Sequence, residues 1–314
     1  VVRTVAALCV ACLAAFVAAP TSTPTPLVPT GVTVAGLQVG GLSAEPLRAR
    51  LEAAMSRPLT IDDGTTQTLI DPASLGAGAD LDAAVASAFT AAPESSHAVP
   101  VAFSEAKVQS AVEALAKRYD RPARAARVVG ATTAGPLFAP SRPGVAIDVA
   151  AMTQAIDRLL QDGSRPPLAL ITRVVPAKRT AATFGPVIVV DRATNSLRLY
   201  DSTKLVRKFA VATGQAIYPT PAGIWFIKNK QKDPWWYPPT YDAWAKGLSP
   251  VPPGPSNPLG TRWMGLNAPG VGIHGTDEPT SIGYSESHGC VRMQVPDAEW
   301  LFEHVHVGTQ VVIL

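Results

Sequence analysis

The chain has 314 residues, of which 47% are hydrophobic and 16% charged, and a formal net charge of +3. It is long enough for two domains with cores of their own, too apolar for a disordered chain, and too evenly charged in either half for a nucleic-acid-binding surface. The one local basic run, Lys117, Arg118, Arg121, Arg124 and Arg127, is expected to be a solvated helix end and the loop after it; contact with an anionic polymer is the alternative reading.

Val5 to Ala19 is an apolar run with Arg3 ahead of it and small residues at Ala18 and Ala19, the pattern of an export leader. A membrane-spanning helix needs about 20 apolar residues. This run is shorter and stops at Pro20, so cleavage of residues 1–19 is expected, with a retained membrane anchor as the alternative. Residues 20–30 form an extended Thr/Pro linker. Gly31 to Gly41 alternates Val32 and Val34 with small residues and ends in Gly-Gly, a strand and turn. Ser43 is placed to cap a helix with Leu47, Leu51 and Met55 on one face, Asp80 a second, Ser104 a third bearing Val108, Val112, Leu115 and Tyr119, and Asp148 a fourth. The fourth carries Met152, Ile156, Leu159 and Leu160 and ends at Gly163, a C′ glycine by position. With short β-rich pieces such as Leu168 to Val175 between them, residues 31–180 read as an α+β domain. Its one histidine, His97, is expected in an exposed loop.

After Phe184 the period changes. Val187–Val190, Leu197–Tyr200, Leu205–Ala212 and Ile224–Ile227 are short β-branched or aromatic runs separated by turn residues. They predict an antiparallel meander, and Gly308 to Leu314 a closing strand. Residues 184–314 therefore read as a mainly-β sandwich or barrel with one helix near Asp297 to His304. Asp233 to Pro258 is too rich in proline for a central strand. Trp235, Trp236, Tyr237 and Trp244 within it suit either a lid over a site or a loop packed on its own domain.

Cys290 is the only cysteine beyond the first dozen residues. Its possible disulfide partners, Cys9 and Cys12, fall in the leader, so a mature exported chain would keep a free thiol exposed to oxidation. Core filler, metal ligand and nucleophile remain as readings. A thiol nucleophile needs a base and oxyanion donors. His274 closes a predicted strand sixteen positions earlier, and His288 shares a face with Cys290 in an extended segment. Gly289 permits close backbone approach, the amides from His288 to Cys290 are candidate oxyanion donors, and Arg292 offers a fork for a carboxylate. As a zinc set, His274, His288 and Cys290 lack an accompanying HExxH or Cys-x-x-Cys motif.

His274-Gly275-Thr276, followed by Ser287-His288-Gly289-Cys290-Val291-Arg292-Met293, resembles the signature of the L,D-transpeptidase catalytic domain, also called the YkuD domain. Val189-Val190-Asp191, Asn195 to Tyr200, Ala212-Thr213-Gly214, Thr220-Pro221-Ala222-Gly223, Pro238-Pro239 and Asn257-Pro258-Leu259-Gly260 extend the likeness over nearly all of 184–314. More diffusely, residues 31–180 look like the peptidoglycan-binding domain found ahead of cell-wall enzymes. The resemblance implies that Cys290 is the nucleophile, His274 its base, and the Gly275 carbonyl the group that orients the imidazole. It makes His288 a pocket residue and Ser287 a loop support; Arg292 stands where some members have Asn. The implied reaction is acyl transfer, without a cofactor or metal, on peptidoglycan stem peptides outside the cytoplasm. Release of D-Ala would lead to 3→3 cross-links. Hydrolysis of the same thioester by an L,D-carboxypeptidase, a zinc-dependent wall peptidase and a non-catalytic wall-binding protein are the alternatives.

Overall fold

A computed structural model describes residues 25–239 and 242–314. The expected leader, residues 1–19, and the first part of the linker lie outside the described residues. Among these, no helix is long and apolar enough to cross a membrane. The chain divides into two compact units. One comprises the residues up to Lys117 together with Asp148–Ile171, the other Arg118–Ile147 and Thr172–Leu314. The segment 31–180, expected to form one domain, is thus shared between them.

The first unit is α+β. Its helices are Ala44–Met55 (α1), Leu81–Phe89 (α2), Glu105–Tyr119 (α3), which runs to the boundary, and Val149–Gln161 (α4). Leu47 and Leu51 of α1 close over Ala84 and Ala88 of α2 and over Val32 and Val34. Asp80 and Asp148 accept hydrogen bonds from the Ala83 and Ala151 amides at 2.9 and 3.1 Å, satisfying helix-end donors as expected. Ser43 sits at the N-cap of α1 but makes no side-chain cap bond. Gly163 is not a left-handed C′ residue, because α4 ends on an extended Asp162 (φ −94°, ψ 112°). His97 lies in a short strand, Ser96–His97, rather than an exposed loop. Its Nδ1 and Nε2 meet the Ser87 and Ser95 hydroxyls at 3.1 and 2.9 Å.

The second unit is built on a mixed eight-stranded sheet, the mainly-β architecture expected for this half. A hairpin, Arg127–Thr132 (β1) and Gly135–Ala139 (β2), precedes it. The sheet strands are Pro186–Asp191 (β3), Ser196–Asp201 (β4), Lys204–Ala210 (β5), Gly223–Lys232 (β6), Arg262–Leu266 (β7), Gly272–Gly275 (β8), Val291–Met293 (β9) and Gln310–Ile313 (β10), in the order β5-β4-β3-β10-β6-β7-β8-β9. The expected meander holds for β3 to β5. β6 instead pairs with β10 and β7, because Gly214 to Gly223 carries the chain away from β5. Ile188, Val190, Leu197, Leu199, Val311 and Ile313 point into the main core and meet Ala298 and Leu301 of the helix Val295–His304 (α5). Each fully buried aliphatic of this kind stabilises by roughly 1.5–3 kcal/mol. Val187 and Val312, on the opposite face, pack against Val128 and Phe138 of the β1–β2 hairpin. That packing explains why residues 118–147 belong to this unit.

The two edges of the sheet nearly meet. Beyond β5, Ala212 exchanges both backbone hydrogen bonds with Arg292 of β9 at 2.9 Å, and the Gln215 amide donates to the Ser287 carbonyl at 3.0 Å. The seam where the barrel closes is therefore the segment leading to Cys290.

Candidate active site

His274 is placed by strand pairing. Within β8 it lies opposite Trp263 of antiparallel β7 and beside Arg292 of parallel β9. Ile273 and Val291 turn into the core, so His274 and Arg292 face the other side. The imidazole is 4% exposed. Its Nδ1 lies 2.5 Å from the Gly275 carbonyl oxygen, which can only accept. Nδ1 therefore carries the proton and Nε2 presents a lone pair. Glycines make this possible: a Cβ on Gly272 would collide with the Trp263 indole, and one on Gly275 would press on Val295 Cγ2 at 3.2 Å. Burial, with a smaller push from Arg292, lowers the His274 pKa to about 4 despite the opposing Gly275 bond.

Cys290 immediately precedes Val291, whose parallel partner is Ile273, so the thiol stands at the mouth of the strand that runs beside the one carrying His274. It is unpaired and partly exposed, with Sγ 3.5 Å from the Gly270 carbonyl. Burial raises its pKa, opposed by a backbone hydrogen bond at Gly272 and by Arg292. Its remaining solvent access tempers that rise and leaves the sulfur reachable. The resting pair is thus a neutral thiol and a neutral imidazole.

The loop before Cys290 is held from within. Buried Ser287 donates from Oγ to the Cys290 carbonyl at 2.5 Å and accepts from the Gly289 amide at 3.2 Å. Of the three amides considered as oxyanion donors, that of Gly289 is thus engaged by Ser287. Gly289 has φ +107°, a conformation that favours glycine. Arg292 Nη1 bonds Glu278 Oε2 at 2.6 Å, so its fork is held by an internal carboxylate. His288 lies between two rings, stacked on Trp244 at 4.0 Å and tilted against Tyr218 at 5.0 Å. Burial and Arg292 lower its pKa.

Of the four aromatics weighed as a lid, Trp244 stands at this site. Trp235 and Tyr237 stack on each other at 6.3 Å and are exposed, while Trp236 pairs through its backbone with Val251. Asn257, fully buried, ties the segment down by donating to the Pro234, Val251 and Pro252 carbonyls at 2.8, 3.3 and 3.1 Å. Trp263, Tyr218, Glu278 and Asn257 all shape the site, yet they escaped the reading of individual motifs. Only strand register and loop closure bring them in, although Asn257 stood in a motif already quoted. His304 stacks on Trp300 at 3.6 Å and His306 meets Thr309 Oγ1 at 3.0 Å. Among the described residues, no three His, Cys, Asp or Glu side chains converge as a metal set.

The L,D-transpeptidase catalytic domain model (YkuD) matches residues 185–313, and a peptidoglycan binding domain model matches 69–168. The L,D-transpeptidase YqjB of Bacillus subtilis is 31% identical over 149 residues, which cover 46% of this chain and 80% of that protein. The chain belongs to the L,D-transpeptidase family. A second family member, YkuD of Bacillus licheniformis, is 33% identical over 140 residues, covering 45% of this chain and 72% of its own. The crystal structure of an Enterococcus faecium L,D-transpeptidase covers 86% of this chain and 100% of that one, at 19% identity and a TM-score of 0.38.

Proposed function

We propose that this L,D-transpeptidase forms 3→3 cross-links in peptidoglycan through a thioester on Cys290. The observation that carries the reading is the His274 imidazole. Its own neighbour's carbonyl fixes the tautomer, on the strand beside the one that Cys290 opens. Because both groups rest neutral, His274 Nε2 takes the thiol proton as Sγ attacks the carbonyl of the third stem residue. The His288 and Cys290 amides are the donors left to hold the oxyanion, with Ser287 and Gly289 fixing their loop. The tetrahedral species collapses with cleavage of the C–N bond to D-Ala, whose amine receives the proton from His274. An amine on a neighbouring stem then attacks the thioester, gives up a proton to His274, and leaves an amide as the thiol is restored.

Water in place of the amine gives L,D-carboxypeptidase activity, a reading favoured by the solvent access of Cys290. Trp244 over His288 is the wall that disfavours it. Arg292, paired with Glu278, braces the site and is the cation we assign to a substrate carboxylate. Such substrates place the enzyme outside the cytoplasm, with the region matched at 69–168 contributing peptidoglycan contact.

Mass spectrometry with a disaccharide-tetrapeptide tests the reading. Loss of D-Ala, a thioester on Cys290 and a dimeric product are expected; release of D-Ala by Cys290→Ala would refute the mechanism.

A further inference from the structure

The second unit gathers cations that lie scattered along the chain. Its segments 118–147 and 172–184 carry eight basic residues and one acidic, whereas the whole chain has 27 basic and 24 acidic. The lone acid, Asp120, accepts from the Ile147 amide at 2.8 Å. Everything outside these segments has an acidic excess.

Backbone pairing brings the segments side by side. Arg121 exchanges both main-chain hydrogen bonds with Val145 at 2.7 and 2.9 Å, and Arg124 both with Arg142 at 2.8 Å. Val145 and Ala146 in turn pair with Val174 and Arg173, and the Ala126 amide donates to the Arg179 carbonyl at 2.9 Å. Arg121, Arg124, Arg142, Arg173, Lys178 and Arg179 are all exposed, and none has an ion pair among the described residues. Directly opposed residues share a face, and like charges so placed destabilise the pairing. The fold nonetheless holds Arg124 opposite Arg142 with no acid to relieve them. The layer is fixed to the catalytic sheet. The Arg179 guanidinium lies over the Phe184 ring at 5.6 Å, Phe184 meets Phe138 at 5.0 Å, and both pack with Val128 on Val187 and Val312.

We propose that this surface binds a linear phosphodiester polymer, with the Arg124 and Arg142 pair among its contacts. That the polymer is met outside the cytoplasm rests on the proposed function; the charge chemistry does not. Guanidinium forks, which supply all but one of the eight cations, match phosphate oxygens. The main chain of Arg121, Arg124, Arg142 and Val145 is already paired, which disfavours a peptide that binds through its backbone. The exposed large hydrophobics of these segments are Val129, Leu137, Val145 and Val174. None is an aromatic ring that could stack a base or anchor in a membrane interface. Charge is what the surface offers, and a polymer held by it keeps the catalytic unit at the wall through residues that take no part in the thiol chemistry.

Fluorescence anisotropy of labelled poly(glycerol phosphate) with the full chain is the test. Affinity should fall roughly a hundredfold between about 50 and about 200 mM salt, as about five engaged phosphates require. Arg124→Gln combined with Arg142→Gln should weaken binding about tenfold and make the slope of log affinity against log salt shallower by about 1.4. The melting temperature should hold or rise in that variant, because the opposed charges are gone. Lys208→Gln, which removes an exposed cation on β5, should leave the affinity unchanged. Polyglutamate and phosphatidylglycerol vesicles at matched charge should bind more weakly than the polymer. Equal or tighter binding to either, an affinity indifferent to salt, or an equal loss from Lys208→Gln would overturn the proposal. Failure of the proposed function would show separately, as D-Ala release by Cys290→Ala, because polymer binding needs no turnover.

Discussion

The two units bury their apolar residues on different scales, and their histidines show the consequence. In the first, strands of two to four residues are gathered by helices, and His97 spends both ring nitrogens on serine hydroxyls. In the second, β6 runs for ten residues and a single sheet nearly closes on itself. There His274 spends one nitrogen on a backbone carbonyl and keeps the other. A long, closed sheet can hold a buried base half-satisfied because the surrounding backbone already has its partners; short sheets tied by helices favour a histidine that is fully satisfied.

The largest expected effect falls on the second unit alone. Cys290→Ala should lower D-Ala release by roughly 10³-fold or more while the melting transition stays in place, measured by coupled product detection and calorimetry. A comparable loss from His97→Ala would erase the contrast between the units.

His274→Gln comes next, with a loss of about 10²–10⁴-fold expected from removal of general-base catalysis. It also carries a pH signature. With its pKa lowered to about 4 in the fold, the unfolded chain binds a proton between pH 6.5 and 4 that the folded chain refuses. Stability therefore falls as pH drops through that window, by about 3 kcal/mol in all, and levels off below it. Denaturant titrations at pH 7, 5 and 4 should show this slope in wild type and a much shallower one in His274→Gln, where His288, also lowered by burial, keeps its own share. An unchanged slope would mean that the buried imidazole is not its source.

Core truncations sharpen the comparison further. Leu197→Ala and Leu47→Ala each remove a fully buried side chain and should each cost about 2–5 kcal/mol. Hydrogen exchange should report the first in β3, β4 and β10 and the second in α1 and α2. Activity at low temperature should fall with the first and persist with the second.

How much of this was legible in the sequence differed between the units in the same way. The helices of the first were visible because their periodicity is local, and Asp80 and Asp148 cap where their side chains suggested. Gly163 and Ser43 misled because a cap depends on the backbone angles of the next turn. In the second unit the Cys290 and His274 motifs stood out by residue type alone. The departure of β6 from the meander, the adoption of residues 118–147 by the sheet and the arrival of Trp263 beside His274 did not. Each is a non-local pairing, and nothing in one strand names its partner. Arg292 illustrates the limit: its fork suited a carboxylate, and the carboxylate it meets is the protein's own Glu278.

The smallest effect expected is the most discriminating for the second unit. Trp244 covers one face of His288 and Tyr218 approaches it at a tilt, while Asn257 fixes the segment behind Trp244 to three carbonyls. Trp244→Ala opens that wall without touching His274 or Cys290. Acylation should then change little, because the thiol, base and loop amides stay in place. The thioester, however, becomes more accessible to water, and the hydrolysis-to-transfer ratio should rise by roughly threefold to tenfold, in line with about 1 kcal/mol of lost exclusion. Asn257→Ala should move the ratio the same way by loosening the segment at its root. Exposed Trp235→Ala should leave it unchanged. Product ratios resolved by chromatography separate these outcomes, and an equal rise in all three variants would show that the segment acts through its bulk rather than through the ring over His288.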